Sequence, residues 1–532
     1  MGALNPWRTK PVADHNTKQR LAYDERIRKL REKEYPMLKG TTYLDYAGTT
    51  LPSLSLIKTF SHQLQTTLLA NTHSATPSIP NASQMVLDTA RRKVLHLLNA
   101  SPDDFEVIFV ANATAGIKLV LEAFTGLETG FNYFYHRDCH TSLVGVRELA
   151  LHSRCWHTDE LINNSHLPQP SINVTTNTAI PTLLSYPLQS NMSGARHPLH
   201  WSHTLRQAPQ TYTLLDIAAH ISTTPVSLSP SSTAPDFTVL SFYKIFGFPD
   251  LGALVVRKQS AHLFSSRRYF GGGTTEMITC FEGPWVQKKE RLCDRLEDGT
   301  VPIHSLLALN CAVETFEGLF GGLEEVGKHT RWLARDLYER LAALRHRNGI
   351  PVCCFYTGAG ARYGDAVTQG PIVAFNVCRS DGSWVGSWEV GARAAEEGIR
   401  IRTGSLCNPA GMAESLGLSP SDIKRAFDSG FRCGQKWDVR EGVPMGMVRV
   451  SLGAGSARKD GDKFVEFIGR VFGDGEGSGS VLTAIGGEGE KVCDKEKDME
   501  VESGKRVRSR GCFSGIFGRW LRQEQSDGNR SL

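Results

Sequence analysis

"FTVLSFYKIFGF", residues 237–248, opens as a run of β-branched and aromatic residues and closes around a single lysine, Lys244. The first part reads as a buried strand. The amine follows just past its end among Phe242, Tyr243 and Phe246, where partial desolvation would lower its pKa and favour imine formation. A lone lysine means little, because most lysines are surface charges. A second strand-like run, "TYTLLDIAAH" at 211–220, ends on Asp216, 28 residues before the lysine. A carboxylate at a strand end, facing a cleft, can pair with a pyridinium nitrogen. Lysine with such an aspartate is the pairing expected of a pyridoxal-phosphate enzyme.

The phosphate of such a cofactor needs amides and hydroxyls at a helix N-terminus. "FVANATAGIKLV" at 109–120 supplies strand, small-residue turn with Thr114, then helix. Alone, that turn reads as an ordinary N-cap. His140, in "DCHTSLVGVR" at 138–147, could lie flat on the cofactor ring, although a single histidine is more often structural. The three signals are stronger together, because they fall in the right chain order.

Working outward, short β-like runs such as "EVIFVAN" alternate with helical stretches such as "ASQMVLDTARRKVLHLLN" between about residues 40 and 257. That alternation predicts an α/β fold with a mainly parallel sheet covered by helices. Residues 1–40 form an N-terminal segment whose part from 16 to 35 is a charged helix expected on a surface. Residues 41–320 form the large domain, and the Asn-, Thr-, Ser- and Pro-rich stretch from 158 to 180 reads as a loop. A long helix from about 322 opens a smaller α+β domain at 321–472. Residues 473–532, beginning "GDGEGSGS", have the composition of a disordered tail with a short amphipathic stretch near its end.

A chain of 532 residues that is 40% hydrophobic can bury large cores. Sixty basic against 55 acidic residues leave +5, too little for this length to imply a nucleic-acid partner. Twelve cysteines are scattered without CxxC pairs or metal-ligand spacing, and the Cys353–Cys354 pair reads as buried strand. The pattern suits a reducing compartment. With no apolar leader at the N-terminus and no run long enough for a bilayer, the reading is a cytoplasmic protein that does not enter membranes. One cysteine breaks the buried pattern. In "GIRIRTGSLCNPAGM", residues 398–412, Cys407 lies in a turn of glycine, asparagine and proline with Arg400 and Arg402 just before it. Nearby positive charge favours a thiolate, so a reactive role competes here with an idle loop cysteine.

Several blocks together, "YLDYAGTT" (43–50), "VIFVANATAGIKLV" (107–120), "HTSLVGVR" (140–147), "LQSNMSG" (188–194), "LSFYKIFGFPDLGALVVRK" (240–258), "YFGGGT" (269–274), "LEDGT" (296–300), "RTGSLCNP" (402–409) and "VRVSLG" (448–453), resemble the molybdenum cofactor sulfurases. The N-terminal part of that family is similar to cysteine desulfurases, of the class V aminotransferase (fold type I) group. The resemblance covers roughly residues 40–470. It implies that Lys244 forms the imine with pyridoxal 5'-phosphate, that Asp216 holds the pyridine nitrogen and that His140 stacks on the ring. Ala113, Thr114 and Ser241 would cradle the phosphate, with Thr300 reaching in from the second subunit of a homodimer. Asn191 would lie near the cofactor's phenolic oxygen and the substrate. Arg449, which can grip a carboxylate through two parallel hydrogen bonds, would hold L-cysteine; a structural salt bridge is the alternative. Cys407 would take the substrate's sulfur as a persulfide, releasing alanine, from a mobile loop able to turn outward. In the family, that sulfur goes to the molybdenum cofactor, or a protein carrying it, to activate xanthine dehydrogenase and aldehyde oxidase.

Three departures stand out. Tyr243 precedes the lysine where general desulfurases have histidine. Ser405 stands where the family has a second cysteine. After residue 472 only 60 residues follow, not a domain for binding the molybdenum cofactor. Two other readings therefore stand beside the leading one: a stand-alone cysteine desulfurase or lyase with another acceptor, and a catalytically silent paralogue acting as a scaffold. The presence of Lys244, Asp216, Cys407 and Arg449 together speaks against the silent paralogue.

Overall fold

The computed structural model describes residues 14–72, 81–157, 172–173 and 178–474. The apolar runs become a seven-stranded sheet, ordered Phe105–Val110, Gly252–Arg257, Phe237–Ser241, Thr211–Asp216, Thr182–Pro187, Asn132–His136, His152–Trp156. Four neighbouring pairs run parallel, and Gly252–Arg257 runs antiparallel to both of its neighbours. Alternate side chains supply opposite faces. Leu184, Leu215 and Leu240 enter one core, while Leu183, Leu214 and Val239 enter the other. Helices cover both faces, so the central strands read as continuous apolar stretches.

Parallel strands bring their carboxyl ends to one edge, and ligands of such sheets bind there. The residues at 138–140 and 188–191 follow such ends, and Asp216 and Ser241 are themselves strand ends, with residues 242–244 next after the second. Phe105–Val110 points the same way, because it and Phe237–Ser241 both oppose Gly252–Arg257; Val110 and Ser241 each face Gly252. A Cβ on Gly252 would lie 2.6 Å from the Asn112 Cα and 2.7 Å from the Leu240 carbonyl oxygen. Glycine there lets the turn after Val110 approach Ser241.

Helix Ile303–Phe320 meets helix Gly322–Ala343 at Gly321, whose φ of 73° ends the first of them. Beyond it lies an antiparallel sheet of Cys353–Phe355, Ile372–Cys378, Met447–Ser451 and Arg402–Gly404, with Trp384–Val385 added on Ile372–Cys378. Leu333, Phe375, Val448 and Phe464 are among the residues of its own core. The chain's early residues join this smaller unit. Thr42–Tyr43 pairs with Ile399–Arg400 in a separate two-stranded sheet, and Asp45 forms an isolated bridge to Ser451, so the stretch expected to open the large domain pairs with the smaller unit.

The charged helix, Asp14–Glu34, differs from the expected surface segment. Ile27 is wholly buried, and Arg31 forms a buried ion pair with Asp460. The Tyr23 hydroxyl donates to the Phe320 carbonyl at 2.8 Å, and Glu34 accepts from the Ser55 amide and hydroxyl, each at 2.8 Å. A helix so polar buries one face because its charges find fixed partners. In the 158–180 stretch, Ile172–Asn173 pairs with Thr178–Ala179; the rest of that stretch up to 177, and the tail beyond Asp474, lie outside the described residues. Among the described residues no single helix is long and apolar enough to cross a bilayer.

Candidate active site

The large sheet builds one half of the site. Lys244 lies in the single turn Tyr243–Phe246, just after Ser241 ends its strand, and its carbonyl accepts from the Thr50 hydroxyl at 2.7 Å. Lys244 is half-buried, and desolvation lowers its pKa, with Asp216 pulling the other way. Arg449, Cys407 and Asp45 also act on it through charge. Asp216 is oriented by the Ala218 amide, which donates to Oδ1 at 2.9 Å. His140 caps the short helix Thr141–Val144, its Nδ1 accepting from the Ser142 amide at 3.1 Å. That bond leaves the ring proton of the neutral tautomer on Nε2. Burial lowers the His140 pKa, Asp216 opposes the shift, and Lys244 and Arg449 add to it.

At the head of helix Ala113–Thr125 the Ala113 amide donates to Ser241 Oγ at 2.9 Å. The expected pair of phosphate donors is therefore partly joined to itself, and Ala113 is committed. Ser241 thus lies beside a helix N-terminus whose dipole favours an anion. Thr114, the next residue, is exposed.

The smaller unit builds the other half. Arg449, only 4% exposed, donates from one terminal nitrogen to Asp45 Oδ1 at 2.6 Å and from the other to the Asn191 carbonyl at 2.8 Å; its Nε is buried without a partner. The salt bridge weighed against substrate binding is thus present, and its partner is a residue that sequence reasoning quoted but did not single out. Desolvation lowers the Arg449 pKa and Asp45 opposes the shift.

Cys407 is half-buried, with an Arg402 terminal nitrogen 4.0 Å from its sulfur. Leu406 and Cys407 have φ of 56° and 55°, two consecutive left-handed residues that lack glycine's freedom. The surroundings hold that conformation. Asn191 Nδ2 donates to the Leu406 carbonyl at 2.8 Å, and the Thr141 amide to the Cys407 carbonyl at 3.0 Å. Asn408, fully buried, donates to the Asp138 carbonyl at 3.0 Å and to Asn191 Oδ1 at 3.1 Å, while its own Oδ1 accepts from the Gly411 amide at 3.1 Å. Asp138 in turn meets His197 Nε2 at 3.0 Å; burial disfavours its charge, but that hydrogen bond and the neighbouring cations hold its carboxyl down at about 2.

This corrects the expectation of a mobile loop. The turn is docked on the large unit, and both polar ends of the Asn191 amide are spent on holding it. Sequence reasoning missed Asn408 as well as Asp45, though an Asn-Pro step before a helical stretch is a recognisable N-cap. Charge effects thus tie His140, Asp216, Lys244, Arg449 and Cys407 into one group. Thr300 does not join it. It is exposed, with no hydrogen bond to those side chains among the described residues. Its turn is anchored by Glu297 against Arg91 at 2.6 Å and Asp298 against Arg267 at 2.5 Å. Cys139, beside His140, is fully buried, and burial pushes its thiol well above the ordinary range.

A site at the carboxyl edge of a mainly parallel sheet, completed by a smaller antiparallel unit, matches a known class. The class V aminotransferase family covers residues 42–464, and this chain belongs to it. Within reach of that family, the chain is 49% identical over 451 residues to the molybdenum cofactor sulfurase of Aspergillus terreus, covering 84% of this chain and 54% of that protein. The chain spans about half the length of the curated relatives it matches. The apo cysteine desulfurase of Thermococcus onnurineus NA1 superposes with a TM-score of 0.61 at 16% identity, over 84% of this chain and 98% of that one. A lysine-to-alanine mutant of C-DES, with glycine covalently linked to its pyridoxal-phosphate cofactor, gives 0.56 at 14% identity over 83% and 99%. At these identities the structural likeness concerns the fold.

Proposed function

We propose that this chain is a pyridoxal-phosphate-dependent sulfurtransferase that takes sulfur from L-cysteine onto Cys407 for sulfuration of the molybdenum cofactor. The observation that carries the reading is the joining of a desolvated amine, Lys244, and a half-buried thiol, Cys407, in one charge-coupled group with a buried arginine. The residues fit the cofactor: Ser241 beside a helix N-terminus suits its phosphate, Asp216 its pyridine nitrogen, His140 its ring and Lys244 its aldehyde. When bound, pyridoxal phosphate supplies an electron sink conjugated to the substrate's α-carbon.

The chain's own residues supply the rest. Arg449 exchanges Asp45 for the carboxylate of L-cysteine and fixes the substrate's orientation. Lys244 Nζ, whose pKa desolvation lowers, takes the proton from the substrate Cα. Cys407 Sγ, as thiolate, attacks the substrate sulfur. A sulfur–sulfur bond forms, the carbon–sulfur bond breaks with its electron pair going to Cβ, which takes up a proton, and the proton held by Lys244 returns to Cα to give alanine. Cys407 is left as a persulfide.

A dimer is part of the proposal. Tyr269, Met277, Phe281 and Trp285 are 66%, 65%, 89% and 51% exposed on the stretch 269–285, beside the turn that carries Thr300: Gly299 donates to the Gly272 carbonyl at 2.8 Å. Such an apolar hairpin suits a second copy, which would bring Thr300 to its neighbour. No disulfide joins the ten described cysteines, which supports a cytoplasmic setting.

A second reading has its own support. The fold matches 98% of a cysteine desulfurase at a TM-score of 0.61, which supports a cysteine desulfurase that serves another acceptor. The deciding experiment incubates the cofactor-loaded protein with L-cysteine, measures alanine, and adds desulfo xanthine dehydrogenase. Alanine with restored dehydrogenase activity supports sulfuration. Alanine without restoration favours the stand-alone desulfurase, and no alanine overturns both.

A further inference from the structure

Two segments of the large unit support the turn that carries Cys407. Residues 138–141 hold it through backbone groups: the Asp138 carbonyl accepts from Asn408, and the Thr141 amide donates to the Cys407 carbonyl. Residues 188–197 fold back on themselves, with the Ser190 amide on the Ala195 carbonyl at 2.8 Å and the His197 amide on the Leu188 carbonyl at 3.0 Å. From this second segment Asn191 holds Leu406 and Asn408, and His197 stands at its base.

His197 ties the two supports to each other. It and Asp138 are both buried, and its Nε2–H donates to Asp138 Oδ2 at 3.0 Å, the carboxylate being able only to accept. The imidazole is stacked on Trp201, with centroids 5.3 Å apart and 29° between the planes, and meets the His136 ring edge-on at 4.3 Å. Packed on both sides, it is kept facing Asp138. His136, Asp138 and His197 also have a spacing that could hold a metal ion. However, His136 Nδ1 already accepts from the Asp138 amide at 3.1 Å, so the lone pair that a metal would need is spent, and the cluster reads as a brace.

We infer that His197 is a positioning residue for sulfur transfer: through Asp138 it keeps the two supports together and so fixes where Cys407 meets the substrate sulfur. The inference rests on the reading that Cys407 accepts sulfur from L-cysteine. Among the described residues His197 bonds neither Lys244 nor Arg449, and Arg449 is carried by the strand Met447–Ser451 of the smaller unit. Loss of the His197 donor leaves a buried carboxylate unpaired and lets the supports part. The step that Cys407 performs should suffer, and substrate binding should be spared.

His197→Gln keeps a donor near the place of Nε2, whereas His197→Phe keeps the ring and loses the donor. The cofactor-loaded full chain is mixed with L-cysteine, the appearance of sulfur on Cys407 is followed by mass spectrometry, and KM is taken from alanine release. His197→Phe, or His197→Leu should the phenyl ring not pack, should form the Cys407 persulfide at least about tenfold more slowly, with KM within about threefold of the unaltered protein. His197→Gln should hold the rate to within about threefold, because the donor is kept. In cofactor-free protein, alkylation of Cys407 should be at least about fivefold faster in His197→Phe than in His197→Gln, since the turn is loosened. A role confined to overall folding would lower the melting temperature without separating kcat from KM or phenylalanine from glutamine. Normal persulfide formation or unchanged alkylation in His197→Phe overturns the inference, as does a glutamine variant as slow as the phenylalanine one, or a KM that rises while the rate holds. A Cys407 that gains no sulfur in the unaltered protein overturns instead the reading on which the inference rests, and the inference with it.

Discussion

The two halves of the site are held by different means. The floor formed by Asp216, Ser241, Ala113 and Lys244 hangs from strand ends whose register is fixed by ladders of backbone hydrogen bonds, Val110 and Ser241 facing each other across Gly252. The turn that carries Cys407 is held across the gap between units by a few bonds: Asn191 to Leu406, Thr141 to Cys407, and Asn408 to Asp138 and Asn191. A backbone ladder spreads its stability over many residues, so one side-chain change leaves the floor in place. The turn has no such redundancy, and its left-handed Leu406 and Cys407 cost free energy that those bonds must offset.

The comparison can be broken most sharply at Lys244. Lys244→Ala should fold normally, because the turn is set by backbone bonds, yet lose the yellow colour of bound cofactor on dialysis and at least about a thousandfold of alanine release. An unchanged absorption spectrum would remove Lys244 from the floor's chemistry. Cys407→Ala should retain cofactor and bind L-cysteine but release alanine at least about a hundredfold more slowly. A normal rate, or sulfur found by mass spectrometry on Cys139, would sink its role as acceptor.

Asn408→Ala tests the claim that the turn depends on single side chains. It removes an N-cap and leaves the Asp138 carbonyl and Asn191 Oδ1 without a donor, for a loss of about 1–3 kcal/mol. Alanine release should fall about tenfold or more while the cofactor's colour is unaffected. Thermal denaturation and single-turnover assays check both parts, and loss of cofactor would show that the halves are not separable. The smallest effect is expected at Asp45. Asp45→Asn frees Arg449 from its ion pair, so the ligand-free protein should melt earlier. The KM for L-cysteine should drop about two- to tenfold, because substrate carboxylate then meets an unpaired guanidinium. A raised KM would show that Asp45 positions the arginine instead of competing for it.

Much of the floor was legible in the chain. Lys244 and Asp216 announced themselves because each follows an apolar run, and a parallel sheet brings such ends to one edge. Cys407 was legible for the opposite reason, as a thiol in a turn where packing alone would not put one. Asp45 was not, since nothing local distinguishes a carboxylate facing Arg449 from one facing water. The charged helix Asp14–Glu34 was misjudged because its burial depends on Asp460, 429 residues from Arg31.

The sequence by itself determined the class of fold and the alternating units and pointed to the candidate reacting groups, because strand and helix periodicity and the residues at their ends are properties of neighbouring positions. Only the tertiary structure decided that Ala113 and Ser241 bond each other, that Asn191 and Asn408 fasten the turn that carries Cys407, and that Asp45 occupies Arg449. Each of these is a contact between segments far apart in the chain. Such a contact is fixed by how two packed units meet, and the hydrogen-bonding capacity of a side chain names no partner in advance.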